Sequence, residues 1–136
     1  MADISPAVIC LQETFLSKNK NITFKHFSGY HHSALEVNGV VHGGSSILVR
    51  SPTPHSQLTL NTCLQAVAIR VTLKKTITVC SLYLPPSFNI TDLDELLDQL
   101  PPPVLILGDF NSHSTLWGCS GLDRRGKLIE DFLAKK

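Results

Sequence analysis

Four apolar residues in a row, Val104-Leu105-Ile106-Leu107, run straight into Gly108-Asp109-Phe110-Asn111. A run this short and this apolar reads as a buried strand, and it fixes where a sheet must lie. Just before it, Leu93, Leu96, Leu97 and Leu100 recur at helical spacing while Asp92, Asp94, Glu95 and Asp98 face away, so Thr91 to Leu100 reads as an amphipathic helix. Thr91 can cap its first turn, and acidic residues there suit the helix dipole. Pro101-Pro102-Pro103 ends it.

Upstream, Leu64 to Leu73 carries Val67, Ile69 and Val71 on one face, and Thr76 to Leu84 carries Ile77 and Val79. Lys74-Lys75 between them is a hairpin tip, so the two segments are expected to pair antiparallel. Pro85-Pro86 stops the second. Ala7-Val8-Ile9-Cys10-Leu11 is a short β-branched run ending in Gln12-Glu13-Thr14, Ile22 to Phe27 is a weaker strand, and Gly43-Gly44 marks a turn before the strand Ser46 to Arg50. Leu128, Ile129, Phe132 and Leu133 share one face of a last helix over residues 123–134. Strands interleaved with helices mean an α/β or α+β protein with sheet at its core.

The 136 residues make one domain with no room for a second core. With 43% hydrophobic and 17% charged residues the chain is that of an ordinary globular protein; a net charge of +1 is uninformative about partners, although a protein living mainly by non-specific DNA binding is usually much more basic. No apolar run approaches the ~18–20 residues that span a bilayer, and the N-terminus lacks the pattern of a signal peptide. An intracellular setting, nuclear or cytoplasmic and not secreted, is the expectation, with no membrane partner. Cys10, Cys63, Cys80 and Cys119 form no C-x-x-C pair, and Cys10 and Cys80 sit in apolar runs where a thiol serves as a small core residue.

Residues two apart in an extended chain share a side. Asp109 and Asn111 therefore project together, Phe110 turns the other way into the core, and Gly108 lets the backbone bend where the strand ends. A carboxylate beside an amide at a strand lip suits a polarised phosphate oxygen and an activated water, although Gly, Asp and Asn are also simple turn formers. Glu13 follows Ile9 and Leu11 at period two, and a carboxylate on that apolar side favours a cation partner, unless it is merely emerging into solvent. Mg²⁺ takes oxygen ligands and often only one or two protein carboxylates. Tyr83 continues the face of Ile77, Val79 and Ser81, either reaching a phosphate at the same edge or packing with its hydroxyl wet. His113 and Trp117 are substrate-contact candidates, set against a solvated loop histidine and a loop-pinning tryptophan. Arg124-Arg125 reads as the solvated start of a helix in preference to a phosphate contact. No G-x-S-x-G, Walker-type loop, G-x-G-x-x-G or H-x₃-H is present.

The order of these segments resembles one family. Gln12-Glu13-Thr14 after an apolar strand, then Ser81-Leu82-Tyr83-Leu84-Pro85-Pro86, then Leu107-Gly108-Asp109-Phe110-Asn111 is the running order of the endonuclease/exonuclease/phosphatase family. Gly43-Gly44 before Ile47-Leu48-Val49, Asn111-Ser112-His113 before Leu116-Trp117-Gly118, and Asp123-Arg124-Arg125-Gly126 before Leu128 resemble the endonuclease domains of jockey-like non-LTR retrotransposons. The resemblance implies a four-layer α/β sandwich of two packed mixed sheets flanked by helices, and metal-assisted phosphodiester hydrolysis with DNA as substrate. It implies Glu13 as a ligand of Mg²⁺ (or Mn²⁺), Tyr83 and Asp109 beside the phosphate, and Asn111 holding it. A phosphatase or phospholipase of the same superfamily fits the Trp117-Gly118 and Asp123-to-Gly126 stretches less well.

Set against that family, the chain lacks the strand with a catalytic asparagine upstream of the Glu-Thr motif, and the closing Asp and Ser-Asp-His motifs. The expectation is a single, incomplete domain over residues 1–136, truncated at both ends. Such a chain would have low intrinsic activity, or would be a remnant that only binds. Its uncovered sheet surface would permit self-association, with no stable protein partner.

Overall fold

The computed structural model describes residues 6–16, 23–85 and 87–110, together with 127 and 131. Its centre is the hairpin of β7 (Gln65–Thr72) and β8 (Thr76–Tyr83), paired antiparallel from Gln65↔Tyr83 to Thr72↔Thr76 around the Lys74-Lys75 turn. Alternation gives each of these strands two useful faces. Ala66, Ala68, Cys80, Leu82 and Leu84 turn one way; Val67, Ile69, Val71 and Val79 turn the other. Both faces are apolar, so the hairpin is covered on both sides.

On the first face lies α1 (Ile90–Asp98), which buries Leu93 and Leu96, with Leu100 following it. Its N-cap is Asn89, whose side chain accepts a hydrogen bond from the Thr91 amide at 2.9 Å. Thr91, expected as the cap, is already inside the first turn; the amide acceptor two residues earlier supplies the cap instead. The chain then crosses to β9 (Val104–Asp109), which pairs parallel with β8 from Thr78↔Val104 to Tyr83↔Asp109. With β6 (His55–Leu58) on the far side of β7, this is a mixed four-stranded sheet, ordered β6-β7-β8-β9.

The second face packs on a three-stranded sheet ordered β1-β5-β2, made of β1 (Val8–Gln12), β5 (Ser45–Arg50) and β2 (Phe27–His32). Val8 and Cys10 from β1, Tyr30 from β2, and Ile47 and Val49 from β5 fill the space between the sheets. This sheet is antiparallel among the described residues, where a mixed one was expected. Its three strands run up, down and up because each neighbour returns directly along β5. A ribbon of β3 (Leu35–Val37) and β4 (Val40–His42) stands between β2 and β5, turning at Asn38-Gly39, both with positive φ. The layers are thus sheet, sheet and helix, an α/β fold.

Three expectations shift. The weak strand foreseen at Ile22 to Phe27 begins only at Phe27, because Lys25 and His26 form a turn and His26 has φ +70°. The strand Val104 to Leu107 is not buried on both sides. Val104, Leu105 and Leu107 are 37%, 46% and 43% exposed; Leu105 and Leu107 face away from α1, which packs on the face of Ile106 and Phe110, and Val104 is the strand's first residue. Of the helix expected over residues 123–134, Lys127 and Asp131 are helical and form an i,i+4 ion pair of 3.1 Å; the remainder lies outside the described residues. Cys10 and Cys80 are core thiols, and burial pushes them up to about 11 and about 12. No helix among the described residues is long and apolar enough to cross a membrane.

Candidate active site at the open end of the sandwich

Strands β1, β8 and β9 meet at one end of the two sheets. The meeting is made by side chains at a point where both sheets lose their apolar filling. Ser81 is fully buried on the inter-sheet face of β8, and its hydroxyl donates to the Leu11 carbonyl of β1 at 3.1 Å. In return the Gln12 amide donates to Ser81 Oγ at 3.0 Å, and it also lies 3.4 Å from the Leu107 carbonyl on β9. Three strands from two sheets are thereby tied through one glutamine and one serine. Buried polar groups that satisfy one another in this way fix a register more tightly than apolar contact does.

Beyond that junction the strands continue outward by two residues. Ser81 pairs with Leu107, so the next inward-facing pair is Tyr83 and Asp109, side by side across the parallel ladder. Their strands are about 4.8 Å apart. The Leu84 amide donates to the Asp109 carbonyl at 2.8 Å and closes the ladder. Both residues are half-buried, which suits groups that must meet both the protein and a ligand. Gly108 sits between them and the junction. A Cβ there would lie 2.2 Å from the Leu82 carbonyl oxygen, so glycine is required by close approach of two backbones. The expected role, freedom to bend, is not what the structure uses: Gly108 is inside β9 and the strand runs on to Asp109.

Glu13 follows Gln12 directly. Period two would have put it with Ile9 and Leu11 on the outer face of its sheet, because Val8 and Cys10 are the residues that face inward. That alternation stops at Glu13. Its φ is +52°, and Phe15 has φ +54°, both in the left-handed region that non-glycine residues seldom enter. The turn is held from outside. The Thr14 amide donates to the Gly44 carbonyl at 3.3 Å, Phe15 to Gly43 at 2.9 Å, and Ala34 to Leu16 at 2.7 Å. Gly43 and Gly44 take positive φ themselves, and a Cβ on either would strike Gln65 or Thr14. Gln65 accepts from the Gly44 amide, and Ser45 Oγ donates to the Gln65 carbonyl at 3.0 Å. The two positive-φ residues thus lie in a turn fastened through the backbone of Thr14, Phe15 and Leu16.

Of the residues singled out in the sequence, the structure sets Tyr83 and Asp109 side by side, while Glu13 is exposed on the turn that follows Gln12. Glu13 is one residue from the Gln12 junction; Tyr83 and Asp109 are two residues beyond it. Asn111, His113 and Trp117 lie outside the described residues, as does Cys119. Phe110 packs toward α1, as period two requires. Among the described residues no three His, Cys, Asp or Glu side chains converge into a metal-holding group. Gln12, Ser81 and Gln65 carry the architecture of the lip and were not marked by their types alone.

Residues 77–136, from β8 through Asp109 onward, match the family model described as endonuclease-reverse transcriptase. Over that stretch, 60 of the 136 residues, the chain is similar to that family. Over 98% of its length it is 27% identical to the RNA-directed DNA polymerase from mobile element jockey of Drosophila melanogaster, and spans 15% of that protein. With the jockey protein of Drosophila funebris it shares 27% identity over 93% of its length, spanning 14% of that one. Among solved structures it superposes on the endonuclease domain of TRAS1, a telomere-specific non-LTR retrotransposon. That match has a TM-score of 0.69 and 23% identity, and covers 95% of this chain and 57% of that one. The fold is thus similar to that of the TRAS1 endonuclease domain, and the stretch that the family model matches contains Tyr83 and Asp109.

Proposed function

We propose that this chain is a metal-dependent phosphodiesterase domain that nicks DNA, of retrotransposon origin. The observation that carries the reading is the pairing of Tyr83 with Asp109 at the same lip as the strained Glu13 turn. A glutamate in the left-handed region, on a turn fastened to two glycines, supports a role in positioning its carboxylate.

The donor chemistry fits a hard divalent cation. Glu13 and Asp109 offer carboxylate oxygens, and the lip holds no thiol among the described residues. With no cluster of three protein ligands there, such a cation would draw most of its shell from water and phosphate, which is the habit of Mg²⁺. Mg²⁺, or Mn²⁺ in its place, would supply charge neutralisation at the phosphate. The protein's own part is positional. Glu13 holds its carboxylate at the lip, Tyr83 offers a hydroxyl to a phosphate oxygen, and Asp109 accepts a proton or orients the attacking water. By the family resemblance Asn111 is assigned the phosphate itself, and His113 and Trp117 are assigned to substrate contact.

The test is nicking of supercoiled plasmid by the purified chain with and without Mg²⁺, beside Glu13→Ala and Asp109→Ala. Nicking that requires the metal and falls at least ~10²-fold in both variants supports the reading. Folded protein that nicks no faster than its variants would refute it and leave nucleic-acid binding without turnover.

A further inference from the structure

A second recess opens on the same end of the sandwich, away from β9. It lies between the end of β2 in one sheet and the β6–β7 connection in the other, with a volume of about 260 Å³. His31, His32, Gln57, Thr59 and Thr62 supply its polar lining, and Leu60 and Val67 two of its apolar walls. The chemistry of this lining is selective. No lysine or arginine is among the residues that line it, so it offers nothing to balance a phosphate. It offers instead an amide, two hydroxyls and the imidazoles of His31 and His32, beside aliphatic residues. His32 Nδ1 lies 3.0 Å from the Ser33 carbonyl, which can only accept, so Nδ1 carries the proton of that bond and Nε2 is left to face a ligand. A mainly polar recess of amide, hydroxyl and imidazole groups, with no cation, is what an uncharged heterocycle carrying its own donors and acceptors requires.

Its position supplies the rest. Gln65, at the start of β7, pairs with Tyr83 and fastens the Gly44 turn, and β6 is the next strand out. The recess is therefore on the order of 10 Å from Tyr83, two strand spacings along the lip. That is the span of about three stacked nucleotides at ~3.4 Å each.

The geometry points to a nucleobase subsite: the recess lined by His32, Gln57, Thr59 and Thr62 takes a base of the strand whose phosphate lies at Tyr83 and Asp109. This rests on the nuclease reading for its role, but its binding chemistry can be measured without turnover. In the ¹⁵N-labelled chain, each of the four deoxynucleosides and, separately, inorganic phosphate would be titrated to tens of millimolar while the amides of Thr59, Thr62 and Val67 are followed. The expected result is a saturable shift with at least one nucleoside and none with phosphate. Gln57→Leu should weaken that binding about five-fold, the loss of one neutral hydrogen bond. His32→Phe, which keeps a flat ring, serves as the second variant should the first fold poorly.

Shifts with phosphate alone, or with neither probe, would overturn the proposal. Glu13→Ala and Asp109→Ala should leave the nucleoside shifts unchanged while abolishing nicking, so the two readings fail separately. Nicking without nucleoside shifts would sink the subsite only, and nucleoside shifts without nicking would sink the nuclease only.

Discussion

Replacing Gly108 by alanine should both destabilise the fold and damage the lip, and the structure sets the scale of each effect. The new Cβ would start 2.2 Å from the Leu82 carbonyl oxygen and 3.4 Å from the Leu82 Cβ, and Leu82 is fully buried between β7 and α1. Leu82 has nowhere to go, so β9 must move by ~0.8 Å before the contact reaches even 3.0 Å. An amide-to-carbonyl distance near 2.9 Å stretched that far is no longer a hydrogen bond. About two ladder bonds at ~1 kcal/mol each are lost, with some repacking of Ile106 and Phe110, for a total of about 2–4 kcal/mol. Urea unfolding followed by circular dichroism would show a lower midpoint at unchanged slope, and Tm would fall on the order of 10 °C. Because β9 shifts as a unit, Asp109 leaves its place beside Tyr83, and nicking by the residual folded protein should drop well below the folded fraction. A Gly108→Ala chain within ~0.5 kcal/mol of the parent would refute the reasoning, since it would mean that the two backbones are not pressed together as described.

Ser81→Ala removes the donor to the Leu11 carbonyl and the acceptor for Gln12, leaving buried groups unsatisfied; it should cost ~1–3 kcal/mol in denaturant unfolding, more than Asn89→Ala, where loss of the α1 cap costs ~1 kcal/mol. Leu96→Ala empties the fully buried centre of the helix–sheet contact and should cost ~2–5 kcal/mol by the same measurement. Glu13→Gly should be more stable than Glu13→Ala by up to ~1 kcal/mol, because glycine accepts φ +52° without strain; equal stabilities would argue against the left-handed turn. Cys10 and Cys80 are held protonated by burial, their thiols rising from 9.0 to about 11 and about 12, so the stability they contribute is whole below pH 9 and declines as pH rises from 9 toward 12. Urea midpoints across that range should fall less steeply in Cys80→Ala than in the parent. The exposed Leu105 and Leu107 should make the chain self-associate at high concentration, and Leu107→Lys should lower its apparent mass in light scattering.

How far the sequence speaks for this fold depends on the range over which each feature is decided. The β7–β8 hairpin and α1 are decided locally, by the alternation of Val67, Ile69 and Val71, by Lys74-Lys75, and by leucines at helical spacing, and they form where those patterns place them. β2 and β6 are written in Phe27-Ser28-Gly29-Tyr30-His31-His32 and His55-Ser56-Gln57-Leu58, whose polar residues suit outer strands and carry no clear period, so they are invisible until β5 and β7 pair with them. The β3–β4 ribbon did leave a signal, since Asn38-Gly39 between Val37 and Val40 is a hairpin turn that demands positive φ twice.

The lip divides along the same line. Tyr83 and Asp109 are legible because each continues a strand period, and the parallel ladder then sets them side by side. Glu13 is not legible in that way, for the period that reaches it points to the wrong face. Its place is decided by glycines some thirty residues away, whose carbonyls capture Thr14 and Phe15, and by a serine 69 residues from Gln12 that only the packing of the two sheets brings within reach. Gln12-Glu13-Thr14 therefore works as one unit. Gln12 fastens the strand end, Thr14 fastens the turn, and Glu13 is left between two anchors as the residue whose side chain neither anchor needs.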